Sequence, residues 1–416
     1  MRPHRGKTQA GGPRLAVVYS RFPVWNQTFA LGDFLALDRA GYQIEIFTLR
    51  GGTGSFEQPE TQTFQGRVHR ALYRSWSLWW VNLKAWCRPL TWRLFGQLVA
   101  GTLARPTELF KTCLLFPQAI YFAHLIRHRG MQHIHAAWAS YPATAAWIAS
   151  ELTDIPFSFT GHAYDIYMVR SLLQEKMQRA QFVVTCAETN REELVRVGGD
   201  DMRDKIHMHR HGVDLERFHH PIVRPKPQPV WQLLACGFMA SYKGFAHLVS
   251  ACELLHQQGC KFHCTIIGEG PEHGRLTRQI QRARLSSQVQ LLPPIPQSEL
   301  VKRYHQADVF IHPSVVTKHG NRDVIPNVLA EAMASGVPVI STRLAGIQEL
   351  IQADENGLLV SPGDPQALAD AIVNLMQDDK KRQRFVEAAK QSVTEAFDRH
   401  RNAEGLVRTF ATHIPL

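Results

Sequence analysis

Several things are scarce or missing in this chain of 416 residues. Acidic side chains are outnumbered: 36 Asp and Glu against 47 Lys and Arg leave a formal charge of +11 and a pI near 9.4. Partners of opposite sign are therefore favoured, whether phosphorylated small molecules, anionic lipid or nucleic acid. The seven cysteines are odd in number and follow no framework spacing. That argues against a disulfide scaffold and for a reducing compartment. No uninterrupted run of about 18 apolar residues occurs, so a transmembrane helix is not expected. The basic start MRPHRGKTQAGGPR has no apolar core behind it, so no secretory signal is expected either. The first strand-to-helix loop, RFPVWNQTF, lacks GxGxxG, which removes the main support for a dehydrogenase. What is present, 44% hydrophobic and 20% charged residues, is the composition of a globular protein too long for one ordinary core. A cytoplasmic, two-domain protein is expected, one able to touch the cytoplasmic face of an inner membrane peripherally.

The chain alternates strand and helix. A strand over Leu15–Ser20, a helix through Thr28–Ala40 and a strand at Ile44–Thr48 open a doubly wound α/β domain. Asn26, Gln27 and Thr28 stand at the C-terminal edge of the first strand, where α/β sheets bind ligands; on these residues alone an N-cap by Asn26 or Thr28 is the better reading. Residues 64–131 break the rhythm with a helical insertion. Trp76, Trp79, Trp80, Trp86 and Trp92 crowd into it, and its many Arg and Lys face the single acid Glu108. Such helices suit an anionic membrane interface, here through residues 70–95, or else turn their aromatics onto the domain's own core. The basic residues form no arm or known nucleic-acid motif, so nucleic acid is not expected as a partner.

The α/β rhythm returns at His133–Ala136 and continues through a helix near Ala143–Glu151 and a strand at Pro156–Thr160. His162 and Asp165 follow just past that strand. His207, His209 and His211 alternate, as residues on one strand face would, and fit a solvated or pyrophosphate-facing strand end better than a metal site. A proline-rich linker at 221–229 separates the halves. In the second half Lys243 stands at a strand–loop–helix junction, a phosphate position. GEGP, with Gly268 and Gly270, forms a turn able to admit a ligand close to backbone. Cys264 and His263 point to opposite faces of a strand and cannot share a metal.

The most informative stretch is His312–Leu350. Pro326 sits where a helix begins, and its missing N–H costs nothing there. Asn327, Val328 and Leu329 then offer unpaired N–H groups at the positive end of a helix. Asp323 precedes that helix and Glu331 projects from it. An anion cradle beside two carboxylates suits a ligand with phosphate at one end and hydroxyls at the other, as in a nucleotide sugar.

Taken in order, DVFIHPS, IPNVLAEAMASGVPVIST, AGIQEL and NGLLVSPGD, with RFPVWNQTF, IPFSFTGHAYDIY and HRHGVDLERF, resemble the family-4 retaining glycosyltransferases of GT-B fold. The flavour is that of exopolysaccharide and colanic-acid biosynthesis, and the likeness runs from about Arg14 to Leu416. It implies two Rossmann-like domains facing a central cleft. The acceptor domain would be 1–220 with the insertion near 64–131, and the donor domain 230–396. A C-terminal helix in 397–416 would pack back on the first domain. It implies a UDP- or GDP-sugar donor and a glycan or undecaprenyl-type lipid-linked acceptor. By the same resemblance Lys243 meets the donor diphosphate, Glu331 the ribose, Asp323 the sugar, and His162 stands beside the anomeric centre. Those three (His162, Asp323, Lys243) form the catalytic set. Ile325, Pro326, Asn327, Val328, Gly346, Glu349, Gly268 and Gly270 line the donor, and Asn26, Gln27, Thr28 and Asp165 the acceptor side.

No Asp-x-Asp triplet is present, so neither metal nor other cofactor is implied; Lys243 and the helix start would neutralise the diphosphate. The sequence departs from the family at Phe238, usually arginine, and at Asp323–Val324, usually Glu-Gly. It departs again at Gln27, Ala137 and Ala345. Lys318, Arg322 or Arg343 stand as substitutes for the missing charge. The competing reading is a catalytically degenerate relative that holds nucleotide sugar or scaffolds a glycan-assembly complex.

Overall fold

A computed structural model describes residues 11–24, 28–53, 59–218 and 230–416. Asn26, Gln27 and the 221–229 linker lie outside the described residues, as does the side chain of Thr28. The chain forms two compact units, one of Met1–Cys186, Asn190–His209 and Ala403–Leu416, the other of Ala187–Thr189 and Arg210–Asn402.

The first unit runs β1 (Arg14–Val24), α1 (Thr28–Arg39), β2 (Gln43–Thr53), β3 (Val68–Arg70), α2 (Trp76–Trp86), α3 (Pro89–Thr102) and α4 (Pro106–His128). It continues with β4 (His133–Ala136), α5 (Tyr141–Thr153), β5 (Phe157–Gly161), α6 (Ala163–Tyr167), α7 (Leu173–Arg179), β6 (Val183–Thr185), α8 (Glu188–Gly198, whose first two residues belong to the second unit) and β7 (Ile206–Met208). The strands make one parallel sheet of order β3-β2-β1-β4-β5-β6-β7. Side chains alternate across β1: Ala16 and Val18 enter the core under α4 and α5, while Leu15, Val17 and Tyr19 enter the core beneath α1. That period of two, apolar on both faces, is what a sheet covered by helices on both sides requires.

The expected insertion begins later than the sequence suggests. Val68–Arg70 pairs with Ile46–Thr48 as the edge strand β3, because a short polar strand carries too little periodicity to be read locally. The helical part is α2–α4. Helix α4 is long and apolar enough, by length and composition, to cross a membrane, which the absence of a long apolar run did not suggest. Half of that stretch is buried in the unit, with Leu115, Phe116, Ile120, Phe122 and Ile126 in the core.

The second unit runs α9 (Leu215–Phe218), β8 (Trp231–Cys236), α10 (Phe245–Gln257), β9 (Phe262–Ile267), α11 (His273–Arg282), β10 (Val289–Leu292), α12 (Gln297–Gln306), β11 (Val309–His312), α13 (Asn327–Ala334), β12 (Val339–Thr342) and β13 (Leu358–Val360). It ends with α14 (Pro365–Gln377) and α15 (Asp379–Ala396), and α16 (Arg399–His413) follows. Its parallel sheet has the order β10-β9-β8-β11-β12-β13. In each unit the strand order reverses beside the first strand, between β1 and β4 and between β8 and β11. Open α/β sheets hold ligands outside the carboxyl ends of strands at such points. In Ala403–Leu416, Phe410 is buried against Tyr42, His135 and Phe182, and the Tyr42 hydroxyl donates to the Ile414 carbonyl at 2.9 Å.

Candidate active site

At the reversal point of the second unit, β8 leads into a 3₁₀ turn over Ser241–Lys243 and then α10. Gly244 joins the two at φ +69°, and a Cβ there would stand 1.9 Å from the Pro313 carbonyl oxygen. Only glycine allows this approach, which brings Lys243 to the loop that follows β11. The ammonium of Lys243 meets Asp323 Oδ1 at 2.8 Å. Asp323 Oδ2 accepts from His312 Nε2 at 2.9 Å and from the Ser314 hydroxyl. His312 is fully buried at the end of β11 and its Nδ1 has no partner among the described residues.

Burial pushes the Asp323 carboxyl up, but the Lys243 ammonium and the His312 bond outweigh it and hold the acid well below the usual carboxylate range. Burial likewise pulls Lys243 down, and Asp323 more than restores it. Burial keeps His312 low, with Lys243 adding to the effect. The cluster is therefore a lysinium–carboxylate pair buttressed by a neutral imidazole. Of the three donors on the ammonium, Asp323 takes one.

On α13, Pro326 is the N-cap and Asn327 the first helical residue, one position later than the sequence reading placed the start. Glu331 lies one turn on, with Tyr304 Oη 3.1 Å from its Oε2 and 3.2 Å from the Val328 carbonyl. Burial drives the Glu331 carboxyl up to about 7. Burial first, and the Glu331 charge after it, push the Cys236 thiol at the end of β8 up to about 12, and Lys243 opposes that shift.

Several expected contacts take other roles. Gly268 and Gly270 do not open room for a ligand: a Cβ on either would strike the backbone of Gly237 (2.0 Å) or Met239 (2.5 Å). They let two chain segments approach each other. Gly346 abuts Val324, whose Cγ1 would lie 2.5 Å from an added Cβ. Glu349 is taken up inside the protein, accepting from the Glu188 N–H at 2.9 Å, the Thr189 N–H at 2.8 Å and the Thr189 hydroxyl at 2.6 Å, with Arg210 at 3.6 Å. Its carboxylate is a structural acceptor. Asp323, expected on the sugar, has both oxygens engaged by Lys243, His312 and Ser314. Ile325 and Asn327 are half-buried around the buried Pro326, and Val328 follows half-buried. Arg322 donates to the Gly320 carbonyl at 3.1 Å, while Lys318, Arg343 and Phe238 are exposed.

In the first unit His162 caps α6, half-buried beyond the end of β5, with the Trp138 ring 5.6 Å away. Asp165 is not an acceptor-side group. It is fully buried and accepts from the Ser140 N–H at 3.1 Å and the His162 N–H at 3.4 Å. Beside it the buried Lys176 ammonium donates to the carbonyls of Ala139 (2.5 Å) and Ser140 (3.3 Å), and burial lowers its pKa to about 8. Behind His162 lies a small recess lined by Asp33, Phe34, His135, Thr160 and Phe410. His207 and His209 do not form a ligand-facing strand end. β7 stops at Met208, His207 meets His413 at 3.2 Å and His209 meets Thr409 at 2.7 Å. Sequence reading missed His312, Ser314, Tyr304 and Lys176. Position at a strand's carboxyl end was the available signal for the first two.

Two parallel, Rossmann-like units with a charged cluster and a helix start at a switch point define the GT-B class of protein. Residues 35–217 match the glycosyltransferase family 4 model and residues 218–392 the model for glycosyl transferases group 1. A colanic acid biosynthesis glycosyltransferase, WcaL, of Escherichia coli K12 is 28% identical over 396 residues, covering 91% of this chain and 94% of that one. The amylovoran biosynthesis glycosyltransferase AmsK of Erwinia amylovora is 35% identical over 197 residues, 47% of this chain and 48% of its own. Among solved structures, Anabaena HepE in complex with UDP and glucose superposes with a TM-score of 0.71 at 16% identity, covering 96% of this chain and 100% of that one. The chain thus carries a family 4 glycosyltransferase domain followed by a group 1 glycosyl transferase domain.

Proposed function

We propose that this glycosyltransferase acts in exopolysaccharide assembly, moving a hexose from a UDP- or GDP-sugar to a hydroxyl of a glycan or lipid-linked glycan with retention of configuration. The observation that carries the reading is the Lys243–Asp323–His312–Ser314 cluster beside the N-terminus of α13, with Glu331 one turn along. An ammonium and a helix start supply positive potential for a diphosphate, and a buried carboxylate supplies an acceptor for ribose hydroxyls. The names of WcaL and AmsK support the biosynthetic setting, and the HepE complex supports UDP as a first donor to test.

In the proposed reaction the bond from the anomeric carbon to the diphosphate oxygen breaks, and a bond to the acceptor oxygen forms on the same face. The acceptor proton passes to the departing phosphate oxygen, leaving glycoside and nucleoside diphosphate. Lys243 stabilises the leaving charge. Asp323 holds Lys243 in place. His162 is assigned, by the family resemblance alone, as the remaining member of the catalytic set. No metal or other cofactor is assigned, and full activity in excess chelator is the corresponding expectation. A cytoplasmic site of action accompanies the proposal.

A thermal-shift panel of UDP-, GDP- and ADP-sugars tests it, because a ligand that binds only the folded state raises the midpoint by mass action. One donor should stabilise the wild type, and Lys243→Ala and Glu331→Ala should abolish both that shift and sugar transfer. A donor that stabilises the protein without any transfer to glycan acceptors would identify a nucleotide-sugar-binding protein instead.

A further inference from the structure

Helix α2 has two apolar faces, and among the described residues only one of them has a partner. Leu78 and Asn82 are buried, and Val81, Ala85 and Trp86 pack on the core. Trp86 lies edge-on to Phe95 and tilted against Phe116. The opposite face carries Trp76, Trp79, Trp80 and Leu83, at spacings of three, four and seven that place them together. These four are 89, 49, 60 and 61% exposed. Leu72 and Tyr73 extend the patch below Trp76, and Trp92, 61% exposed, extends it at the start of α3. The indole N–H groups of Trp79 and Trp92 donate to the carbonyls of Tyr73 and Trp86, so both rings can leave water without stranding a donor. A patch of this kind on a folded protein marks an interaction surface.

We propose that this face of α2 and the start of α3 rests on an anionic lipid bilayer; the proposal is independent of the glycosyl-transfer reading. Charge decides the occupant. From 61 to 107 the chain has no Asp or Glu, while Arg74, Lys84, Arg88 and Arg93 border the tryptophans. Lys84 stands 4.9 Å over the Trp80 ring, so cation and aromatic present one surface. A second copy of the chain would bring two basic faces together, which disfavours self-association. Tryptophan is enriched at headgroup depth in membranes, and basic side chains beside it meet anionic headgroups. Helix α4 and the core beneath hold the two helices from behind, so they lie along the interface without spanning it.

The test uses the full chain with vesicles of phosphatidylcholine, alone or mixed with phosphatidylglycerol. Sedimentation should require phosphatidylglycerol and weaken as salt is raised. Trp76→Ser/Trp80→Ser, at two exposed positions, should weaken it roughly tenfold, and Arg88→Gln/Arg93→Gln should weaken it by a similar factor, with thermal midpoints near wild type. Bromine-labelled lipid should quench the tryptophan fluorescence of the unaltered protein, a reading that does not depend on any variant folding. Absence of phosphatidylglycerol-dependent sedimentation, absence of quenching, or wild-type binding by the double tryptophan variant would overturn the proposal. So would light scattering that shows a dimer turned to monomer by the tryptophan changes, since the face would then belong to a second copy.

Discussion

Glu331 carries the clearest tension at the scale of single residues. Its folded-state pKa, raised by burial to about 7, means the folded protein holds the proton more tightly than the unfolded chain does. The associated stability is present below the unfolded value of about 4.5 and is lost as pH rises through about 7. Glu331→Gln should therefore raise the thermal midpoint at pH 8 and change it little at pH 4.5. It should also weaken nucleotide binding, because the amide is a poorer acceptor for two hydroxyls. Scanning fluorimetry at the two pH values, with and without donor, checks this; equal midpoints of mutant and wild type at pH 8 would remove the argument. Lys243 and Asp323 were both legible as site residues. Their bond to each other was not, since it joins positions 80 apart that only the β8–β11 neighbourhood brings together.

The elements show how a helix receives its task from what lies under it. α16 buries Phe410 completely among Tyr42, His135 and Phe182. Phe410→Ala should cost about 3–5 kcal/mol, the range for a large aromatic removed from a filled core, measured by urea unfolding. A loss under about 1 kcal/mol would mean that the segment contributes little to the first unit. The tryptophans of α2 and α3 illustrate the converse. Helical spacing in the sequence put Trp76, Trp79 and Trp80 on one stripe, but a stripe reads the same whether it faces core or surroundings. Trp86 went to the core and its four neighbours did not, because Leu78, Leu94 and Leu98 already fill the space against α4.

For the whole molecule, acid sensitivity follows from histidines kept neutral by burial. His135 is held down at about 3 and His209 at about 4, and burial also lowers His133, His207, His312 and His413. A base with a depressed folded-state pKa stabilises the fold above its unfolded value of about 6.5, and that stability is lost as pH falls toward the folded value. Glu331 and Asp165 oppose this with raised carboxyl pKa values, but six imidazoles outweigh two acids. The thermal midpoint should fall steadily from pH 7 to pH 5; a flat or rising profile would contradict the burial of these rings. The sequence alone determined the alternation of strand and helix, the start of α13 to within a residue, and the family, because these are written in local periodicity and in motifs of adjacent residues. Tertiary structure alone decided that Asp323 grips Lys243, that Glu349 and Asp165 bind backbone N–H groups, that Gly268 and Gly270 admit neighbouring chain, and which tryptophans are covered. Each of those depends on strand order and close packing between distant segments, and no local pattern encodes them.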